Sequence, residues 1–159
     1  MKHSFTQEEA ERVVEAYSDL ILRVSYTYLH STYDAQDICQ TVFLRLLTTG
    51  KTFQSAAHEK AWIIRAAINA SKDVLGSAWR RKTCDLEACA EAAAPEGEEG
   101  SLLAAVKRLP EKYRIVIYLH YYEGYTAREI GALLGANPAT IGTRLNRGRQ
   151  QLKLLLEGE

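Results

Sequence analysis

The sequence predicts an all-α protein of two small helical domains joined by a flexible acidic linker, and three observations predict it. Outside residues 84–101, apolar residues recur at spacings of three and four, as helices with one buried side require. From Cys84 to Ser101 the chain is mostly Ala, Glu and Gly, with Leu86 as its single large aliphatic residue. Such a stretch buries too little apolar surface to offset its ordering entropy, so the chain divides there. Finally, Tyr125 to Leu156 reads as two short helices around a Gly135-Ala136-Asn137 turn, a helix-turn-helix. No β-strand signal of comparable strength and no internal repeat occurs.

The first domain, residues 1–83, opens on Thr6-Gln7-Glu8-Glu9. This is a capping box, in which the Thr and Glu side chains each satisfy an otherwise orphaned amide. The helix it starts runs through Val13, Val14, Tyr17, Ile21, Val24 and Tyr28. A break at Ser31-Thr32-Tyr33 precedes Asp34, which suits an N-cap, and Ile38, Val42, Phe43 and Leu46 then recur at helical spacing. After a loop from Thr48 to His58, a third helix from about Glu59 to Trp79 buries Ile64, Ala67, Ile68, Val74 and Leu75. It ends at Arg80-Arg81-Lys82, where positive charge complements the helix dipole.

The second domain, residues 102–159, carries Leu109-Pro110, with proline suited to a helix's first turn. Ile115, Val116, Leu119 and Tyr122 form that helix's inner face, and Glu123-Gly124 ends it. Thr126-Ala127-Arg128-Glu129 is a second capping box. Gly131 leaves room for a close helix crossing, Gly135 suits a left-handed exit, and Asn137-Pro138 supply an N-cap and a first-turn proline. At about 100° per residue, Ile141, Leu145, Leu152 and Leu156 of the last helix form an apolar stripe. Thr140, Thr143, Arg144, Arg147 and Gln151 form a second face. No acidic residue lies between Ile130 and Leu156, so that face is positive beside hydroxyls and an amide, as contacts to phosphates and base edges require. Arg149 and Lys153 read as a solvated face.

Charge patterning agrees. The net charge is zero, yet eleven Lys and Arg stand against nine Asp and Glu in residues 1–83, none against six in 84–101, and nine against five in 102–159. Basic blocks flanking an acidic one suit a nucleic-acid partner. No apolar run approaches the roughly 20 residues of a membrane span, and Met1 to Ala10 is polar and acidic, unlike an export signal, so a cytoplasmic protein without membrane insertion is expected. Cys39, Cys84 and Cys89 are odd in number and lack the paired spacing of a zinc site, so they are read as thiols, and no metal or cofactor is expected.

In order, these motifs resemble the small two-domain sigma factors of bacterial RNA polymerase, the extracytoplasmic-function (ECF) group of the sigma-70 family. Residues Asp34 to Leu47 look like the family's core-binding helix, Ala61 to Asp73 like its promoter-melting and minus-ten helix, and Leu109 through Leu152 like its minus-thirty-five domain. The resemblance implies that Asp34, Asp37, Gln40, Phe43 and Leu44 lie on or beneath a surface gripping the clamp of the polymerase's largest subunit. It implies a contact of the C-terminal domain with the flap of the second-largest subunit, and an anti-sigma partner. Trp62, Arg65, Asn69 and Lys72 share a stripe opposite the aliphatic residues. By resemblance they meet unpaired minus-ten DNA together with Arg80, Arg81 and Phe53, whose loop holds a flipped base. Base stacking on an aromatic ring is worth about 1–3 kcal/mol; the alternative is that Trp62 and Phe53 pack together as core. Thr143 and Arg147 are the expected base readers of the minus-thirty-five element, with Thr140, Arg144 and Arg128 nearer the phosphates. Two departures from the family pattern are Gly142, where relatives usually have Lys or Arg, and His120, where they commonly have Arg. The uncompensated carboxylates of the linker resemble a nucleic-acid backbone and suit a basic RNA channel.

The function expected is therefore direction of core polymerase to promoters, with help in melting. The rival is a helix-turn-helix regulator that binds promoter DNA independently of core polymerase. An enzyme built on Cys39, His30 and Asp34 would lack a group to orient the histidine and any visible oxyanion or phosphate loop.

Overall fold

A computed structural model describes residues 6–50, 52–81 and 101–157, with side chains at all of these except 77–81 and 101–103. Backbone contacts group the chain into two compact units, Met1–Ala94 and Pro95–Glu159. The described residues contain helices and no strand. The acidic stretch, Cys84 and Cys89 lie outside them, and Ser101 already belongs to a helix.

In the first unit α1 (Gln7–Leu29), α2 (Thr32–Thr49) and α3 (Ala56–Arg81) form a bundle in which each helix packs on both others. The capping box is present: Glu9 N–H donates to Thr6 Oγ1 at 3.1 Å and Thr6 N–H to Glu9 Oε2 at 3.2 Å. Ile21 and Val24 of α1, Val42 and Leu46 of α2, and Ile63, Ile64 and Ala67 of α3 are wholly buried. Each large aliphatic side chain so buried stabilises the bundle by about 1.5–3 kcal/mol. Three sequence expectations need correction. Val74 and Leu75 of α3, expected in the core, are only half-buried. Val14 is 43% exposed, because its place next to Val13 turns it about 100° off the core face. Ser31, not Asp34, caps α2, accepting from Asp34 N–H at 3.2 Å, so Asp34 sits in the first turn.

The second unit contains α4 (Ser101–Arg108), α5 (Glu111–Ile117), α6 (Ala127–Leu134) and α7 (Pro138–Glu157), with α7 packed on the other three. Pro110 precedes α5 as its cap residue rather than entering its first turn, and its carbonyl accepts from Tyr113 and Arg114 N–H, both at 3.0 Å. Beyond Ile117 the chain widens into a π-helical turn, Tyr118–Tyr122, closed by Glu123 N–H on Tyr118 O at 3.2 Å. The widened turn shifts the side-chain register. Tyr122, expected on the inner face, is 59% exposed and stacks on Tyr118 with ring centroids 5.2 Å apart. Between α6 and α7, Gly135 takes φ 69° and Ala136 N–H returns to Gly131 O at 2.9 Å. Gly131 is obligatory for a sharper reason than a helix crossing: a Cβ there would lie 2.5 Å from Ala136 O. Among the described residues no helix is long and apolar enough to cross a membrane.

Candidate functional site

Helix α2 shows an exposed stripe of mixed chemistry. Asp37, Gln40 and Leu44 are exposed, Asp34 and Phe43 half-buried. The structure adds Tyr33 and Leu47 to the same stripe; Tyr33 is 84% and Leu44 64% exposed. Positions 33, 37, 40, 44 and 47 alternate spacings of four and three, so one helix face carries apolar groups around a carboxylate and an amide. Exposed apolar side chains such as the neighbouring Leu44 and Leu47 suit an interaction surface.

The base of α3 is built around a charge network. Ser55 Oγ accepts from His58 N–H at 3.1 Å and so caps the helix. One turn on, Glu59 is 9% exposed, and it receives both Arg12 nitrogens, at 3.3 and 3.1 Å, and the Tyr17 hydroxyl at 2.7 Å. Burial pushes the Glu59 carboxyl up, but the hydrogen bonds from Arg12 and Tyr17 outweigh it and hold the group below its usual range. The same network, burial foremost, raises the Tyr17 hydroxyl to about 12. This ties α3 to α1, and His58, one residue before Glu59, meets the preceding loop through its ring nitrogen, which accepts from Gln54 N–H at 3.4 Å. There Phe53 lies 5.4 Å from the His58 ring, edge to face, and 5.9 Å from Trp62. Phe53 and Trp62 thus do pack together, yet both stay half-buried, with part of each ring accessible. Arg65, Asn69 and Lys72 are exposed on the predicted stripe, while Ile63, Ile64 and Ala67 are buried opposite. The α3 backbone reaches Arg81, but the side chains of Arg80 and Arg81 lie outside the described residues.

In α7 the two predicted faces separate. Asn137 Oδ1 accepts from Ala139 N–H at 2.8 Å and caps the helix. Ile141 and Leu145 are buried, Gly148 occupies the next inner position, and Leu156 is 37% exposed at the far end. Thr140, Thr143 and Arg147 are exposed and Arg144 is half-buried. These four line one groove with Lys112 and Tyr113 of α5, which the sequence did not suggest because Lys112 lies outside the helix-turn-helix. Arg128 is exposed in the first turn of α6. Arg149 is exposed, as expected, and on that solvated face it bonds the Tyr121 hydroxyl, donates to Asn146 Oδ1 at 2.9 Å, and holds its guanidinium 5.5 Å from the Tyr121 ring centroid. His120 Nδ1 lies 2.8 Å from Tyr125 O.

Burial raises the Cys39 thiol, opposite to what a nucleophile needs. Among the described residues no three metal-ligating side chains cluster.

The model of sigma-70 region 2 matches residues 13–81, and that of sigma-70 region 4 matches residues 99–152. The ECF RNA polymerase sigma factor SigE of Mycolicibacterium smegmatis is 30% identical over 90% of this chain and 60% of its own. RNA polymerase sigma factor CarQ of Myxococcus xanthus is 30% identical over 77% of this chain and 74% of its own. The chain belongs to the extracytoplasmic-function group of sigma-70 factors. This sigma factor spans less than two thirds of the length of SigE. Its fold is also that of the sigma factor RpoE of Bartonella quintana, solved in complex with the anti-sigma factor NepR, at a TM-score of 0.69 and 17% identity over 92% of this chain and 96% of that one. Helices α1 to α3 of the sigma factor reach across the region 2 match, and α4 to α7 across region 4.

Proposed function

We propose that this sigma factor binds core RNA polymerase in the cytoplasm, carries it to particular promoters and assists strand opening, with no bond chemistry of its own. Residues 1–83 serve core docking and the minus-ten element, 84–101 are the acidic linker, and 102–159 serve the minus-thirty-five element. The exposed stripe of α2, with Asp37, Gln40 and Leu44 over Asp34 and Phe43, offers the clamp of the largest subunit a mixed apolar and polar face; the C-terminal domain meets the flap of the second-largest. Phe53 and Trp62 supply rings for an unpaired base, with Arg65, Asn69, Lys72, Arg80 and Arg81 along the strand. Capturing that base offsets the few kcal/mol of unstacking, so opening needs no ATP. Thr143 and Arg147 read base edges, and Arg128, Thr140 and Arg144 hold phosphates. An anti-sigma factor, of the kind NepR is for RpoE, is a further expected partner, to which Tyr33, Leu44 and Leu47 offer apolar surface.

One observation carries this reading: α7 buries Ile141 and Leu145 while leaving Thr143 and Arg147 exposed on a face without carboxylates. Holoenzyme reconstituted with this chain and given a library of upstream elements tests it. Arg147→Ala should flatten the preference at one base pair by roughly 5- to 150-fold, the equivalent of about 1–3 kcal/mol, and leave affinity for core unchanged. Equal transcription from all upstream variants by the unmutated chain would remove the assigned role.

A further inference from the structure

The groove beside the reading helix holds a cation that the helix-turn-helix does not supply. Lys112 comes from α5, whereas Thr140, Thr143, Arg144 and Arg147 come from α7. Two packing features bring them together. Gly148 of α7 is buried against α5, where an added Cβ would lie 3.3 Å from Ile117 side-chain carbons and 3.4 Å from Tyr113 Cβ, so the missing side chain lets the helices approach. Tyr113 is in turn 6% exposed and therefore fixed, and Lys112 Nζ sits 5.1 Å from its ring centroid. That cation–π contact holds the ammonium at the groove and leaves it free to meet an anion.

Three cationic and three hydroxyl-bearing residues thus line one groove, and no carboxylate does. Like charges lining one groove repel one another, and the repulsion is relieved when an anion enters between them. We propose that Lys112, together with Arg144, seats a backbone phosphate of the upstream duplex beside the base-reading Arg147, and so sets how α7 lies in the major groove. The proposal rests on the minus-thirty-five reading of α7 and adds a contact from outside the helix-turn-helix. A lysine acts there as a compact point charge, and a phosphate contact fixes position without carrying base information.

The test is promoter affinity of the reconstituted holoenzyme between about 50 and 200 mM KCl, for the unmutated chain, Lys112→Ala, Lys112→Arg and Arg147→Ala, on a set of upstream variants. Losing one phosphate contact lowers the slope of log affinity against log salt by about 0.9 and weakens binding by about 5- to 10-fold near 0.1 M salt. Lys112→Ala should show both losses equally on every upstream sequence and keep the parent melting curve, and Lys112→Arg should restore the slope. An unchanged slope, or a loss confined to particular base pairs, overturns the proposal. If Arg147→Ala relaxes base choice while Lys112→Ala changes nothing, the phosphate seat alone fails; if neither variant has an effect, the reading of α7 fails with it.

Discussion

Alanine at Gly131 and alanine at Gly142 should change the stability of the second unit in opposite directions, although both residues lie inside helices. Alanine is favoured over glycine in a helix interior by about 0.8–1.0 kcal/mol, and this gain acts at both sites. At Gly142 an added Cβ meets nothing within 4 Å, so the gain is unopposed. At Gly131 the Cβ would lie 2.5 Å from Ala136 O. That oxygen belongs to a turn pinned by the 2.9 Å bond from Ala136 N–H to Gly131 O and by Gly135 at φ 69°. Overpacking costs about 1–3 kcal/mol, and against a pinned backbone atom the upper part of that range applies, leaving a net loss of about 1–2 kcal/mol. For a domain of this size 1 kcal/mol moves Tm by about 4–8 °C. Scanning calorimetry of the full chain should show the second unit melting roughly 4–16 °C lower in Gly131→Ala and roughly 3–8 °C higher in Gly142→Ala. The same displacement re-aims α7, because Ala136 directly precedes its cap Asn137, so transcription dependent on the upstream element should fall while core affinity holds. Equal upward shifts in both variants would show that helix propensity alone decides and would refute the close approach as an energetic constraint.

Four further perturbations follow from the first unit. Glu59 has a lowered pKa in the folded chain, so the stability it contributes is present above its ordinary value of 4.5 and lost as pH falls through the lower folded value. Denaturant titrations should show a steeper acid limb for the parent than for Glu59→Gln, and identical limbs would contradict the network. Tyr17, raised to about 12, contributes stability that is complete below pH 10 and disappears between 10 and 12, and Tyr17→Phe should lack that alkaline loss. Trp62→Ala should reduce promoter opening, read by permanganate reactivity, by roughly 5- to 150-fold, the loss of about 1–3 kcal/mol of stacking, with upstream duplex binding unchanged. Leu44→Asp, at a side chain 64% exposed, should lower core affinity about tenfold or more and shift stability by less than about 0.5 kcal/mol.

Much of the fold was legible because its signals are local. Both capping boxes, the Gly135 exit, the Asn137 cap and the buried faces of α2 and α7 follow from spacing and residue type. The π-helical turn was not legible, since a single i to i+5 closure leaves no periodic trace, and the inner-face reading of Tyr122 failed with it. Ser31 was passed over as the α2 cap because Asp34, three residues on, has equal capping chemistry. In the candidate site, the α3 stripe of Trp62, Arg65, Asn69 and Lys72 is an angular pattern that sequence displays. Lys112 is not, because its relation to Arg144 and Arg147 depends on how α5 crosses α7. Gly148 decides that crossing, and a glycine is invisible to a search for apolar stripes. Tyr33 and Leu47 escaped for a related reason: an exposed apolar residue looks in sequence like one more core position.

The most direct measurement is start-site mapping with core polymerase and a promoter library, with and without this chain, beside a binding assay of the chain alone on the same DNA. Discrete start sites that appear only when chain and core are combined, with little specific binding by the chain alone, are the expected result. Tight sequence-specific binding by the isolated chain, unaltered by core and without new start sites, would contradict the account.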